Sequence, residues 1–205
     1  LTLLLRTDSV LLAIVAGALA ILSKFLIRIN DKHVFNPTNF AIVVMLATGG
    51  PVWVSPGQWG RATILLFAIG CIGIFVTHRS ERSDVTTAFL LVYVTIIFGR
   101  STWLGNPIAI PLHHLQSGAL YIFAFFMISD PKTTPNSRAG RIAFAVMVAA
   151  VALFIQYGLY HQNGIMWSLL LATTTVPLLN KLLPGPQFEW TQGSPTPHQK
   201  KRTSA

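Results

Sequence analysis

Charge is what this chain has least of. Ten per cent of its 205 residues are charged, where a soluble domain carries about 25%. Hydrophobic residues make up 52% and mean hydropathy is +0.58. The deficit in charge and the long apolar runs exclude an ordinary soluble domain and point to a polytopic membrane protein. There are six acids, Asp8, Asp31, Glu81, Asp84, Asp130 and Glu189, and none sits at the centre of an apolar run. Carboxylates inside spans are the usual proton and sodium relays, so their absence argues against a complete carboxylate-based pump. The single cysteine, Cys71, excludes an internal disulfide and a Cys-cluster metal site within the chain. It reads as a small packed residue. A glycine-rich phosphate loop, a Ser-His-Asp constellation and a nicotinamide fingerprint are all missing.

Seven apolar segments remain, at 9–29, 40–54, 61–77, 85–99, 108–129, 142–160 and 164–183. The expected fold is all-α, a polytopic integral membrane helical bundle of about seven spans over residues 1–183. A basic Pro/Gly-rich tail follows at 184–205. The segment at 40–54 is the weakest, because Gly49, Gly50 and Pro51 interrupt it and a re-entrant half-helix would also fit. The run Leu1 to Leu5 looks like the tail of an earlier span, which suggests a chain incomplete at its N-terminus. Net charge is +9, but the basic residues lie in short loops, where they signal topology rather than nucleic-acid binding. If all seven segments cross, 12 basic residues fall on one side and 3 on the other. The positive-inside rule then puts the loops at Asn36 and Asp130, and the C-terminus, in the cytoplasm. Trp53, Trp59 and Trp103 fall at the outer interface, where tryptophan is favoured.

Two polar motifs border these segments, DKHVFNPTNF at 31–40 and SGALYIFAFFMISDP at 117–131. Asn-Pro and Asp-Pro stop helices and leave polar groups that hydrocarbon cannot satisfy, so those groups must meet protein, ligand or a water-lined cavity. Asn36 as N-cap with Pro37 at the first helical position suits a helix start. A ligand at that start, held by Asn36 and Asn39, fits the residues equally well. His113 and His114 are adjacent, about 100° apart on a helix, which favours hydrogen bonding over shared metal ligation. No catalytic residue and no metal site is expected. Ser117, Gly118 and Ala119 suit close helix packing.

The stretches FNPTN at 35–39, GQWG at 57–60, HLQSGA at 114–119 and FFMISDP at 125–131 resemble the RnfD/NqrB family. NSRAGRI at 136–142 and TTTVPL at 173–178 extend the likeness. These are membrane subunits of the Rnf complex and of the sodium-translocating NADH:quinone reductase. The resemblance makes Phe35, Asn36, Pro37, Ser117, Gly118, Asp130 and Pro131 the family motif residues. It implies a bacterial inner-membrane subunit of a larger redox or energy-converting complex, not an enzyme by itself. Its partners would be other integral membrane subunits and the lipid bilayer, not nucleic acid. Family members usually carry covalent flavin mononucleotide on a threonine in a long insertion. Only residues 47–56 occupy that gap here, so no covalent flavin is expected. Noncovalent riboflavin against Asn36 and Asn39 is the remaining cofactor expectation. The alternatives are a non-catalytic accessory subunit and a small-solute or ion channel on the same helical architecture.

Overall fold

Each turn of this chain has to satisfy its own polar groups, and the helices begin and end where side chains do so. A computed structural model describes residues 1–29, 32–56 and 63–186. Asp31, the GQWG stretch with Trp59, and the basic tail with Glu189 lie outside the described residues.

After β1 (Leu5–Thr7), α1 (Val10–Leu26) starts at Ser9, whose hydroxyl accepts from the Leu12 amide. A tight hairpin, β2 (Arg28–Ile29) with β3 (Lys32–His33), turns the chain into α2 (Pro37–Ala47). β4 (Val52–Val54) then returns to pair antiparallel with β1, Leu5 opposite Val54. Two expectations are corrected here. The run at 1–5 is a turn and a strand start with Leu4 and Leu5 in the core, not the end of a helix. The segment at 40–54 is helical only to Ala47, because Gly49 sits at φ +65 and the chain beyond it is extended.

α3 (Thr63–Arg79) and α4 (Ser83–Trp103) are joined by a turn in which Glu81 adopts φ 55 and the Arg82 amide donates to the Thr77 carbonyl. The segment expected as one span at 108–129 is broken. α5 (Ala109–Leu115) stops, Ser117 is extended, and α6 (Gly118–Ile122) runs on into a π-helical turn at Phe123–Met127. The break is held by Pro56, whose carbonyl accepts from Ser117 Oγ at 2.7 Å and from the Ala119 amide at 3.1 Å. α7 (Arg138–Tyr157), capped by Ser137, is the central helix. Its inward face is lined by Phe144, Ala145, Val148, Ala149 and Ala152, all fully buried, and the small residues among them let α4 and α8 approach closely. α8 (Gly164–Thr173) and α9 (Val176–Leu182) meet at a 53° bend. Pro177 cannot donate to Thr173 and its ring crowds that carbonyl. The hydroxyls of Thr174 and Thr175 donate back to the Leu171 and Ala172 carbonyls, a local alternative to the helix ladder.

Contacts between distant segments set the helix directions. The starts of α4 and α7 meet through Asp84 and Arg141, and the end of α9 reaches Ser137 through the Leu183 carbonyl. Asn36, at the start of α2, touches Asp130, beyond the π turn. Consecutive passes therefore alternate. One end of the molecule gathers His33, Asp84, Asp130 and Arg141; the other holds β1, β4, Trp53 and Trp103. Among the described residues, Ser83–Trp103 and Arg138–Tyr157 are each long and apolar enough to cross a bilayer, and the bent α8–α9 pair makes a third. α2, with 11 residues, extends about 16 Å, half of a ~30 Å hydrocarbon core.

Gly164 is the tightest point of this packing, since a Cβ there would collide with the Ala152 backbone carbonyl on α7. Gly164→Ala is expected to destabilise the protein by about 1–3 kcal/mol, read as an earlier thermal unfolding midpoint in detergent. Gly99→Ala, which meets open space, serves as the neutral control.

Candidate functional site

The two Pro-containing motifs, 94 residues apart, converge on one carboxylate. Asn36 is the N-cap of α2: its Oδ1 accepts from the Asn39 amide at 3.1 Å, with Pro37 following. Its Nδ2 donates to Asp130 Oδ2 at 3.4 Å. His33 Nε2 lies 3.2 Å from the same oxygen. Asp130 Oδ1 accepts from the Lys132 amide, and the Asp130 carbonyl accepts from the Thr133 and Thr134 amides. Pro131 comes next and ends the pass. Asp130 thus closes its own turn and binds the start of α2. Phe35 stacks on Phe40 with centroids 5.4 Å apart, which fixes the entry of the chain into α2.

Asn39 has a different partner from Asn36. It is 1% exposed, and its Nδ2 donates to the Met166 carbonyl on α8 at 3.1 Å. Its Oδ1 is buried without a hydrogen-bond partner among the described residues. An unsatisfied buried acceptor costs about 1–3 kcal/mol. Neither Asn36 nor Asn39 is among the lining residues of the two cavities described below. Ser117 and Gly118 lie elsewhere, at the α5–α6 break, so the family motif residues divide between two sites.

A second polar cluster at the same end is one that the sequence reading missed. Arg141 Nε and Nη2 grip Asp84 at 2.8 and 2.6 Å, and Nη1 donates to the Asn136 carbonyl at 2.7 Å. Asp84 sits in the first turn of α4, where a negative charge is favoured by the helix dipole. Arg141 sits in the first turn of α7, where the dipole alone would disfavour it; the forked geometry of the pair offsets this. Arg82, 2% exposed at the start of α4, is held below the usual arginine range, at about 10, first by burial and then by Arg141. The sequence signal was faint: Asp84 is one of six acids, and Arg141 stands in a stretch whose one signal was family likeness.

Two cavities open on opposite ends. The larger, about 460 Å³, is lined among others by Tyr93, His114, Ser117, Gln156, His161 and Asn163, with no Asp, Glu, Lys or Arg among its lining residues. It reaches Tyr93, midway along α4. Toward the basic end from Tyr93, Phe89 and Phe123 pack 5.1 Å apart, are fully buried and are not among its lining residues. His114 is half-buried at its wall, its ring at a steep angle to that of Tyr157 with centroids 6.5 Å apart; His113 is not among the lining residues. The smaller cavity, about 240 Å³, lies beside the Asp130 turn.

The polar stops, the π turn and the alternating apolar helices define a multi-pass helical membrane protein. The chain belongs to the NQR2, RnfD, RnfE family, whose pattern it matches over residues 33–188. It is similar to the RnfD subunit of the ion-translocating oxidoreductase complex of Citrobacter koseri, 27% identical over 136 residues, which are 66% of this chain and 36% of that protein. The corresponding subunit of Pectobacterium carotovorum is 35% identical over 119 residues, 56% of this chain and 32% of the relative. That of Salmonella paratyphi B is 31% identical over 111 residues, 53% of this chain and 31% of the relative. The chain thus spans about a third of the length of these curated relatives.

The Asp84–Arg141 pair is 13–15% exposed, so leaving one charge without the other is expensive. Arg141→Met is expected to cost about 2–3 kcal/mol, the lower part of the range for a buried pair. Arg141→Met with Asp84→Leu should recover part of that loss. Thermal unfolding of the single and double variants in detergent checks both.

Proposed function

We propose that this chain is a membrane subunit of an ion-translocating oxidoreductase complex. Family membership over residues 33–188 carries the reading, together with the similarity to RnfD subunits of such complexes. The chain's own chemistry agrees with a subunit role. Asp84 and Asp130 are engaged with basic or amide partners, and Glu81 and Asp8 are exposed near the ends. Among the described residues no carboxylate stands inside a pass to relay ions. A complete redox or ion pathway therefore needs groups beyond those described.

In this reading the chain makes about seven passes of a bacterial inner membrane, several of them short or broken, with the Asn36 and Asp130 turns and the C-terminus in the cytoplasm. The 12-to-3 split of basic residues supports that orientation. No covalent flavin is proposed, because the gap at 47–56 is too short for the attachment loop. Noncovalent riboflavin at Asn36 and Asn39 draws on one atom, the partnerless Asn39 Oδ1, which suits an N–H donor. As arranged, the residues do not admit a ring: Asn36 is committed to its cap, and α2 and α8 would have to part to expose Asn39. A channel role draws on the 460 Å³ cavity; the packed, fully buried Phe89 and Phe123 beyond Tyr93 stand against it.

Arg79 and Lys132, at the basic end, are exposed and can report its sidedness. On a Cys71→Ala background, Arg79→Cys and Lys132→Cys are expected to resist an impermeant thiol reagent in intact cells, while Leu104→Cys reacts. Labelling of the first two from outside overturns the orientation.

Gentle solubilisation of source membranes and native electrophoresis should place the chain well above its 22.4 kDa mass, with other membrane chains in the band. A denaturing gel of the same material should show no ultraviolet-fluorescent band at 22.4 kDa. A monodisperse monomer that passes small solutes into liposomes would replace the subunit reading with the channel one.

A further inference from the structure

The smaller cavity lies where three elements converge: the β2–β3 hairpin, the turn after Asp130, and the α8–α9 bend. Its polar lining is Lys132, His33, Asn136, Asn180 and two threonines, with no carboxylate. Lys132 is exposed. His33 is fixed through Nε2 to Asp130, which orients its ring. Asn180 Oδ1 accepts from the Asn136 amide at 2.8 Å, so its Nδ2 remains as a donor. The apolar lining is Ile29, Val34, Val176 and Pro177. The elements that carry this lining, and the end of α1 just before them, also expose apolar side chains. Phe25 and Leu26 are exposed at the end of α1, Ile29 on β2, and Leu178 and Leu182 on α9. A cationic and amide-lined hollow with apolar ridges on both flanks suits an amphiphile with an anionic head.

The geometry points to a binding site for an anionic phospholipid, its phosphodiester at Lys132 and Asn180 and its acyl chains along the exposed ends of α1 and α9. A basic side chain at a membrane surface contributes roughly 1 kcal/mol toward an anionic headgroup. The apolar ridges add chain contact that a soluble phosphate lacks. This site does not depend on the redox reading and stands or falls apart from it.

The test is native mass spectrometry of the detergent-purified full chain, or of its complex, titrated with phosphatidylglycerol or phosphatidylcholine. Phosphatidylglycerol is expected to bind preferentially. Lys132→Gln should weaken it about five-fold, and Asn180→Leu should weaken it too. Lys132→Arg should retain it, as should Arg79→Gln, which removes a charge at the same end but outside the cavity. Equal binding of the two lipids overturns the proposal. So does an equal loss in Lys132→Gln and Arg79→Gln, which would mean diffuse surface charge. Displacement of the lipid by millimolar inorganic phosphate or glycerol phosphate would assign the hollow to a soluble phosphate instead. If Lys132→Gln fails to fold, Lys132→Arg against Asn180→Leu decides: loss in the second alone supports the site, and no loss in either removes it.

Discussion

The Asp130 carboxylate is the point on which the ends of the passes depend. A chain in hydrocarbon cannot leave a helix start or a helix stop to solvent. Here one stop supplies the partner of one start. Oδ2 meets Asn36 and His33, while Oδ1 and the carbonyl close the turn on Lys132, Thr133 and Thr134. α2 is short, so its C-terminus at Ala47 does not extend as far as the end of α4 at Trp103. It is held where it begins by the side chain of another pass. Cap, turn and inter-pass contact are therefore one network, and the loss of any member strands the others in a low-dielectric setting.

The π turn answers the same constraint in a second way. A wider turn at Phe123–Met127 leaves carbonyls out of the regular i−4 ladder. Ile128 returns its amide to the Phe123 carbonyl, Thr86 on α4 donates to the Ala124 carbonyl at 2.6 Å, and Ser129 donates to that of Phe125. The turn carries Phe123 against Phe89, and it sets Phe125 against Gly73 on α3, where any Cβ would collide. A hydrogen-bonding irregularity in one pass thus determines what α3 and α4 are able to place opposite it.

Much of this was readable from residue type. Each of the seven apolar segments carries a helix, Asn36 and Pro37 take the cap and first-turn positions, and Asp130 ends its pass. The breaks were less visible because apolar composition continues through them: Gln116 and Ser117 interrupt a run whose hydropathy predicts one span. The bend at Thr174 was hidden in a stretch that reads as a continuous helix until Pro177. Pairings were least visible. Nothing local says that Asp84 belongs to Arg141, 57 residues on, or that Asn39 reaches across to Met166. Such partners are chosen by which helix starts lie together, a property of the whole arrangement.

The packing also changes the basis on which a partner should be sought. Ser117, Gly118 and Ala119 were expected to suit close helix packing. Gly73 meets Phe125, Ser117 and Ala119 meet Pro56, and Asn36 meets Asp130, so each closes on the chain itself. What remains outward on α1 is Val10, Leu11, Ile14, Ile21, Leu22 and Phe25, and only Ala16 and Ser23 are buried on that helix. Lipid tails are as apolar as these side chains, so their exposure does not by itself drive association. Family membership is therefore the stronger reason to expect a partner.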